Sequence, residues 1–248
     1  MNDDHLQMIL QRHPAAIESV LQRSLGGILN PYDWLDRAVA RGAKKVLVVI
    51  CGPGPMVERV AKDGRFVVGV DWSKSAIEEG LRRSRREFVQ ADANHLPFAE
   101  GKFDAVVSDL GLAVNENRSQ MLHEIARVLR PGGMFAGLAP ALRPLNFSDI
   151  KKIVRLAEIL RVRPHIAGQA EFRISALLAE AGLQKAEDSR SKFYFEVRNR
   201  SDAELLVGGL RATDDLERAK HAIDFLADRA RQHEVKIPLP MRRILAIK

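Results

Sequence analysis

Cysteine is nearly absent from this 248-residue chain, which holds a single thiol, Cys51. One cysteine excludes an intrachain disulfide and any zinc site built on clustered thiolates, so no metal site is expected and a reducing compartment fits. Long apolar runs are missing as well. The longest strongly apolar stretch, residues 46–51, has six residues, far below the ~20 that a membrane-spanning helix needs. The start, Met1-Asn2-Asp3-Asp4, lacks the basic and apolar regions of a secretory signal. A soluble, cytoplasmic protein is the expectation. Charge of one sign is not dominant either: 39 Lys plus Arg stand against 32 Asp plus Glu, a net +7. That balance permits an anionic partner such as nucleic acid or acidic lipid without requiring one. The basic clusters, Arg82-Arg83-Ser84-Arg85-Arg86, Lys151-Lys152, Arg161 with Arg163, and Arg242-Arg243, read as solvated helix faces rather than a nucleic-acid stripe. Internal repeats and low-complexity tracts are not found.

What is present is ordinary globular composition, 46% hydrophobic and 29% charged, enough for one sizeable domain or two small ones. Two periodicities alternate along it. Residues 46–50 are continuously apolar, as in a strand buried on both faces of a parallel sheet. The pattern then predicts a helix over 56–62, strand 66–70, helix 75–84, strand 87–90 and strand 103–107. A helix over 119–129, stopped by Pro131-Gly132-Gly133, and a strand over 134–138 follow. This succession predicts an α/β fold with a doubly wound, Rossmann-like, mostly parallel sheet. Upstream, 5–25 and 31–41 read as helices, so residues 1–43 form a helical N-terminal arm of the kind that covers a site. Downstream, helices are expected over 148–160 and 171–181, and mostly helix over 202–231. Strands are expected over 192–198, where Phe193, Phe195 and Val197 alternate, and over 241–247, bringing the sheet to seven strands. Residues 44–248 are thus one domain, with helical insertions at 140–170 and 199–235.

The first strand runs into Cys51-Gly52-Pro53-Gly54-Pro55 and then a helix. Glycine there lets backbone approach a nucleotide-like ligand, and tight packing at a strand-to-helix turn asks for glycine too. The dinucleotide fingerprint G-x-G-x-x-G fails, because its third glycine falls on Val57. Seventeen residues past Gly54 the second strand ends in Asp71. Its carboxylate can accept from two vicinal ribose hydroxyls, or cap the next helix, a role open to Ser73 as well. The third strand ends in Gln90-Ala91-Asp92-Ala93-Asn94, which sets a second carboxylate at the same sheet edge, as ligand group or turn former.

Taken in order, these segments, together with Phe103-Asp104-Ala105-Val106-Val107-Ser108 and Glu124-Ile125-Ala126-Arg127-Val128-Leu129-Arg130-Pro131-Gly132-Gly133, resemble the class I S-adenosylmethionine-dependent methyltransferases. The subgroup is that of the ubiquinone and menaquinone methyltransferases, methyltransferase type 11. The resemblance covers about residues 44–139 and five ordered motifs. It implies S-adenosyl-L-methionine as cofactor. It also implies that Cys51, Gly52 and Gly54 line the methionine and ribose, that Asp71 binds the ribose hydroxyls, and that Trp72 packs near adenine, where the plain alternative is a partly buried helix-start residue. By the same resemblance Asp92 would take the adenine amino group with Ala93 beside it, and the segment from Ser108 through Leu110 to Gly111 would form the floor under the sulfonium. Leu96-Pro97-Phe98 reads as structural. Two positions depart from the family pattern. Where the first strand carries an acidic residue and then a glycine, this chain has Val48 and Ile50, which removes a hydrogen-bond network and adds bulk, so weaker cofactor binding is expected. Pro53 and Pro55 also remove two N–H donors while stiffening the loop.

Methyl transfer from a sulfonium asks the protein mainly to position an acceptor and exclude water, worth ~7–11 kcal/mol. No catalytic residue is assigned. For an oxygen or carbon acceptor the general-base candidates are His13, Tyr32, Asp33, Asp109, Asn115 and His165, while His123 is expected in solvent. Substrate choice in this fold sits in 1–43, 140–170 and 199–235, where Asn30-Pro31-Tyr32-Asp33-Trp34 and the cations Arg143, Lys151, Lys152, Arg155, Arg161 and Arg163 occur. An amphipathic helix with Ile150, Ile153, Val154, Leu156 and Leu160 facing the core accounts for most of these cations. Three readings stand: methyl transfer to a small molecule, which is favoured; methylation of RNA or protein through a contiguous basic patch; and a noncatalytic scaffold with a degenerate cofactor loop.

Overall fold

The structure is a computed structural model and describes residues 16–62, 64–161, 169–210 and 215–248. Helices α1 (Ala16–Arg23) and α2 (Pro31–Asp36) precede β1 (Lys45–Val49). Then come α3 (Pro55–Val60), β2 (Phe66–Asp71), α4 (Lys74–Arg83), β3 (Glu87–Gln90), β4 (Phe103–Asp109), α5 (Gly111–Val114), α6 (Arg118–Val128) and β5 (Leu129–Pro140). The described elements end with α7 (Phe147–Leu160), α8 (Gln169–Glu180), β6 (Gln184–Val197), α9 (Arg200–Gly209), α10 (Leu216–Gln232) and β7 (Val235–Ile247). The seven strands form one sheet in the order β3-β2-β1-β4-β5-β7-β6. Strands β1 to β5 run parallel and β7 runs antiparallel to β5. Val46, Leu47, Val48 and Val49 are fully buried, as a central parallel strand requires. Strand order reverses between β1 and β4, and the crevice outside the C-terminal strand ends at such a point is where open α/β sheets hold ligands.

The chain divides into two compact units. The first comprises Tyr32–Ala141, Ala167–Arg190 and Met241–Lys248. Its core gathers Leu47, Val70, Phe103, Leu122, Phe135 and Ile244. The second comprises Met1–Pro31, Leu142–Ile166 and Ser191–Pro240, with Val20, Leu160, Phe195, Leu206, Ile223 and Leu226 in its core. There Gly209 lets α9 approach α1 closely: a Cβ at that position would lie 2.8 Å from the Val20 side chain and 3.0 Å from the Ala16 carbonyl.

Several boundaries differ from the sequence reading. Strand β5 starts at Leu129, ahead of Pro131-Gly132-Gly133, because the register shifts between Phe103 and Ala105 and absorbs those residues as an irregularity. Strand β6 starts eight residues before position 192, in a charged stretch for which no strand is expected. Its acids are matched across the sheet: Asp188 accepts from Arg242 at 2.6 and 2.8 Å, and Glu187 accepts from Arg243 at 2.6 Å. Strand β7 starts at Val235 and passes through Pro238 and Pro240, positions beyond the stretch paired with β5, which ends at Met241. In α7 the core-facing residues are Asp149, Leu156, Ala157 and Leu160, whereas Ile150 and Val154 are exposed. Residues 5–15 of the expected arm helix lie outside the described residues.

Candidate functional site

At the C-terminal end of β2, Asp71 is buried and ties two segments together. Its Oδ2 accepts from the Gly52 N–H and its Oδ1 from the Ser73 N–H, both at 2.9 Å. Ser73, not Asp71, caps α4, its Oγ accepting from the Ala76 N–H at 3.3 Å. Each carboxylate oxygen has two acceptor positions, so Asp71 retains capacity for hydroxyl donors. The next residue, Trp72, is 73% exposed, which removes the partly buried reading and leaves an indole face open beside a buried carboxylate. Its carbonyl accepts from Gln90 Nε2 at 3.1 Å.

The turn after β1 is left-handed at three positions, with φ of 54° at Ile50, 53° at Gly52 and 90° at Gly54. A Cβ on Gly52 would meet nothing within 4 Å, whereas one on Gly54 would lie 2.5 Å from the Phe88 ring. The same ring closes on Gly69 and Gly80, whose added Cβ atoms would come within 3.0 and 2.7 Å of it. Phe88 therefore shapes the loop from β3, a role the sequence reading missed. Three glycines spaced along separate elements were the only signal for it. Pro55 sits in the first turn of α3, where a missing N–H costs no helical hydrogen bond. The Gly52 and Gly54 N–H groups are already engaged, by Asp71 and by the Cys51 carbonyl at 3.0 Å. Burial pushes the Cys51 thiol well up, and the charges of Asp71 and Asp109 push it further. The thiol is protonated and packs toward Gly69, where an added Cβ would lie 2.9 Å from its sulfur.

The ends of β1 and β4 converge on a floor. Ser108 is fully buried and its Oγ has no hydrogen-bond partner among the described residues. A Cβ on Gly111 would collide with that hydroxyl and approach Ile50 Cδ1 to 3.2 Å, so glycine is required there by proximity. Leu110 bridges them in a left-handed conformation, φ 83°, its N–H donating to the Leu138 carbonyl at 3.0 Å. The Ile50 side chain thus stands at the floor, on a backbone that β-branched residues rarely adopt.

Beyond β3, Asp92 is exposed and folds its carboxylate over its own turn, accepting from the Asn94 N–H and Nδ2 at 2.9 Å and meeting His95 Nδ1 at 3.2 Å. The Asn94 N–H foremost holds it below the usual carboxylate range. Ala93 is buried in the core. The Leu96-Pro97-Phe98 run is clamped: Glu124 accepts from the Leu96 N–H at 2.7 Å, and Arg127 donates to the Leu96 and Phe98 carbonyls at 2.9 and 2.7 Å. Of the general-base candidates, Tyr32 is buried, Asp33 is ion-paired with Arg59, Asp109 is buried at the end of β4, and Asn115 donates to Asn94 at 3.3 Å. His123 is exposed, and His13 and His165 lie outside the described residues. Among the described residues no group of three His, Cys, Asp or Glu could hold a metal ion, and no helix is long and apolar enough to cross a membrane.

A sheet in this order, with a glycine turn after β1 and a carboxylate ending β2, defines the class I S-adenosylmethionine-dependent methyltransferase fold. A solved protein of Bacillus halodurans C-125, described as a candidate methyltransferase, shares that fold. It superposes with a TM-score of 0.62 at 19% identity, over 88% of this chain and 98% of that one. Residues 47–137 match the family described as a methyltransferase domain. A demethylmenaquinone methyltransferase of Corynebacterium kroppenstedtii is 37% identical over 160 residues, 56% of this chain and 69% of that protein. One from Beutenbergia cavernae is 42% identical over 100 residues, 40% of this chain and 42% of that protein. The chain belongs to this methyltransferase family, of the quinone-methyltransferase-like type. It spans about half the length of the first curated relatives it matches, between 42% and 59%.

Proposed function

We propose that the crevice at the ends of β1, β2 and β4 binds S-adenosyl-L-methionine, and that the chain transfers a methyl group to a small-molecule acceptor of the quinone kind. The observation that carries this is Asp71, a buried carboxylate with spare acceptor positions, fixed by the Gly52 N–H at 2.9 Å beside an exposed Trp72. The acceptor class is taken from relatives described as demethylmenaquinone and 2-phytyl-1,4-naphtoquinone methyltransferases.

The residues fit such a cofactor unevenly. The nucleoside end has Asp71 for hydroxyls, open space over Gly52, the Trp72 face, and Asp92 with Ala93 further along. The amino-acid end has the orphaned Ser108 hydroxyl as a donor, but Val48 is an apolar residue inside β1 and Ile50 fills part of the floor. Cys51 contributes packing and backbone. When bound, the cofactor supplies the methyl electrophile. This chain's residues bind its polar edges, exclude water through Ile50 and Leu110, and hold the acceptor. Of the base candidates, we favour Asp109, buried at the end of β4, to take a proton from an oxygen or carbon acceptor. Residues 1–43 as an arm, and the insertions 140–170 and 199–235 in the domain 44–248, are the segments in which we place acceptor preference. The noncatalytic reading is favoured by one observation, the left-handed Ile50 beside Gly111.

Incubation with methyl-tritiated S-adenosylmethionine and a reduced demethylated naphthoquinone separates the two. Label in the organic extract, lost in Asp71→Ala, supports the enzyme. Absence of both saturable cofactor binding and transferred label supports the scaffold.

A further inference from the structure

We propose that the outer face of α7 and the turn at residues 25–28 together form a docking surface for an anionic lipid bilayer. Helix α7 turns Leu156, Ala157 and Leu160 inward. Adjoining that inward face, it carries Phe147, Ile150 and Val154, exposed by 72%, 45% and 41%. At about 100° per residue these three lie on one stripe, and no chain element described here covers it. The turn at 25–28 exposes Leu25 by 50% and Ile28 by 88%. Isolated surface leucines are ordinary, but five large apolar side chains in two neighbouring segments are not.

The two segments are held to the same short piece of β6. Leu25 and Tyr194 exchange backbone hydrogen bonds of 3.0 and 2.9 Å. Gly26 lies so close to the strand that a Cβ would approach the Lys192 carbonyl to 2.8 Å. From α7, Asp149 accepts from Lys192 Nζ at 2.5 Å and from the Tyr194 hydroxyl at 3.3 Å, and it completes a capping box with Asn146. Residues 192–194 therefore anchor both the turn and the helix start to one short piece of strand.

Charge selects the occupant. Lys151 and Arg155 are exposed along the flank of the stripe, and Lys151 Nζ stands 4.5 Å above the Phe147 ring. A single acid, Glu158, interrupts this edge and is engaged by Arg155 at 3.3 Å. Apolar groups bordered by Lys and Arg suit the boundary between acyl chains and anionic headgroups. RNA would reward the cations but gain nothing from Ile28, Ile150 or Val154, which neither stack on bases nor pair with phosphate.

The test is cosedimentation of the full chain with vesicles of phosphatidylcholine alone or mixed with phosphatidylglycerol. Binding to the mixed vesicles, weakened by salt, is expected. Lys151→Ala with Arg155→Ala should lower the partition coefficient roughly thirty-fold, and Ile28→Ser with Phe147→Ser should abolish binding. Because these side chains are exposed, all variants should keep the wild-type thermal transition, which separates lost docking from lost folding. Equal binding to both vesicle types, or undiminished binding by the Ile28/Phe147 variant, overturns the proposal. So does a concentration-dependent dimer that disappears in that variant without any vesicle binding, or tight binding of an RNA homopolymer in place of vesicles.

Discussion

Ile50 carries a strain that can be measured directly. At φ 54° an L-residue pays about 1–2 kcal/mol for the left-handed conformation, and a β-branched side chain sits at the upper end. Its side chain is half-buried against the core; full burial of isoleucine is worth about 1.5–3 kcal/mol, and half-burial about half of that. Ile50→Gly removes strain and packing together, so its stability should stay within about 1 kcal/mol of wild type. Ile50→Ala loses similar packing and keeps most of the strain, so it should fall about 1 kcal/mol below the glycine variant. In an extended strand the order is the reverse, with alanine more stable by about 0.5–1 kcal/mol. Denaturant midpoints read the difference, which corresponds to about 2–4 °C in Tm for a chain of this size. An alanine variant as stable as the glycine variant would refute the left-handed assignment. The same glycine opens the floor beside Ser108 and Gly111, and relief of one or two methyl contacts should tighten S-adenosylhomocysteine about ten- to hundred-fold.

Further outcomes follow from the same geometry. Gly54→Ala places a Cβ 2.5 Å from the Phe88 ring at φ 90°, so a loss of about 1–3 kcal/mol is expected; an unchanged thermal transition would contradict it. Trp72→Ala removes an exposed side chain and should leave stability within about 0.5 kcal/mol, while calorimetry should show several-fold weaker S-adenosylhomocysteine binding. Asp188 is held below the usual carboxylate range, by its hydrogen bonds from Arg242 foremost, against burial. Its folded-state pKa therefore lies below the unfolded value of about 3.9, so the pair stabilises fully above that value and fails as pH falls through the folded value. Urea unfolding from about pH 5 downward should show this slope in wild type. Asp188→Asn should flatten it and cost about 1.5–3 kcal/mol at neutral pH, because Arg242 exchanges a charged acceptor for a neutral one.

Strands β1 and β2 were readable because they are apolar on both faces, and they differ from the expected bounds by a residue at one or both ends; the edge strand β3 matches the expected 87–90. The starts of β6 and β7 were not, since Asp188 and Glu187 become strand residues only once Arg242 and Arg243 lie opposite them, and prolines 238 and 240 only once their pairing side is known. Helix α7 offered two apolar stripes, 153-156-160 and 147-150-154, and local periodicity cannot say which one a core covers. At the site, the order of motifs exposed Asp71, Trp72 and the glycine turn. The collision that makes Gly111 obligatory, the Phe88 ring under three glycines and the left-handed backbone at Ile50 depend on distances between separate strands. No run of neighbouring residues records those distances.

The central claim is that Asp71 anchors a nucleoside cofactor at the end of β2. Titration calorimetry with S-adenosylhomocysteine on wild type and Asp71→Ala tests it most directly. Saturable binding, weakened at least about tenfold by loss of a charged hydrogen-bond acceptor, is the predicted result. Absence of wild-type binding at millimolar ligand, or equal binding by both proteins, would contradict the account.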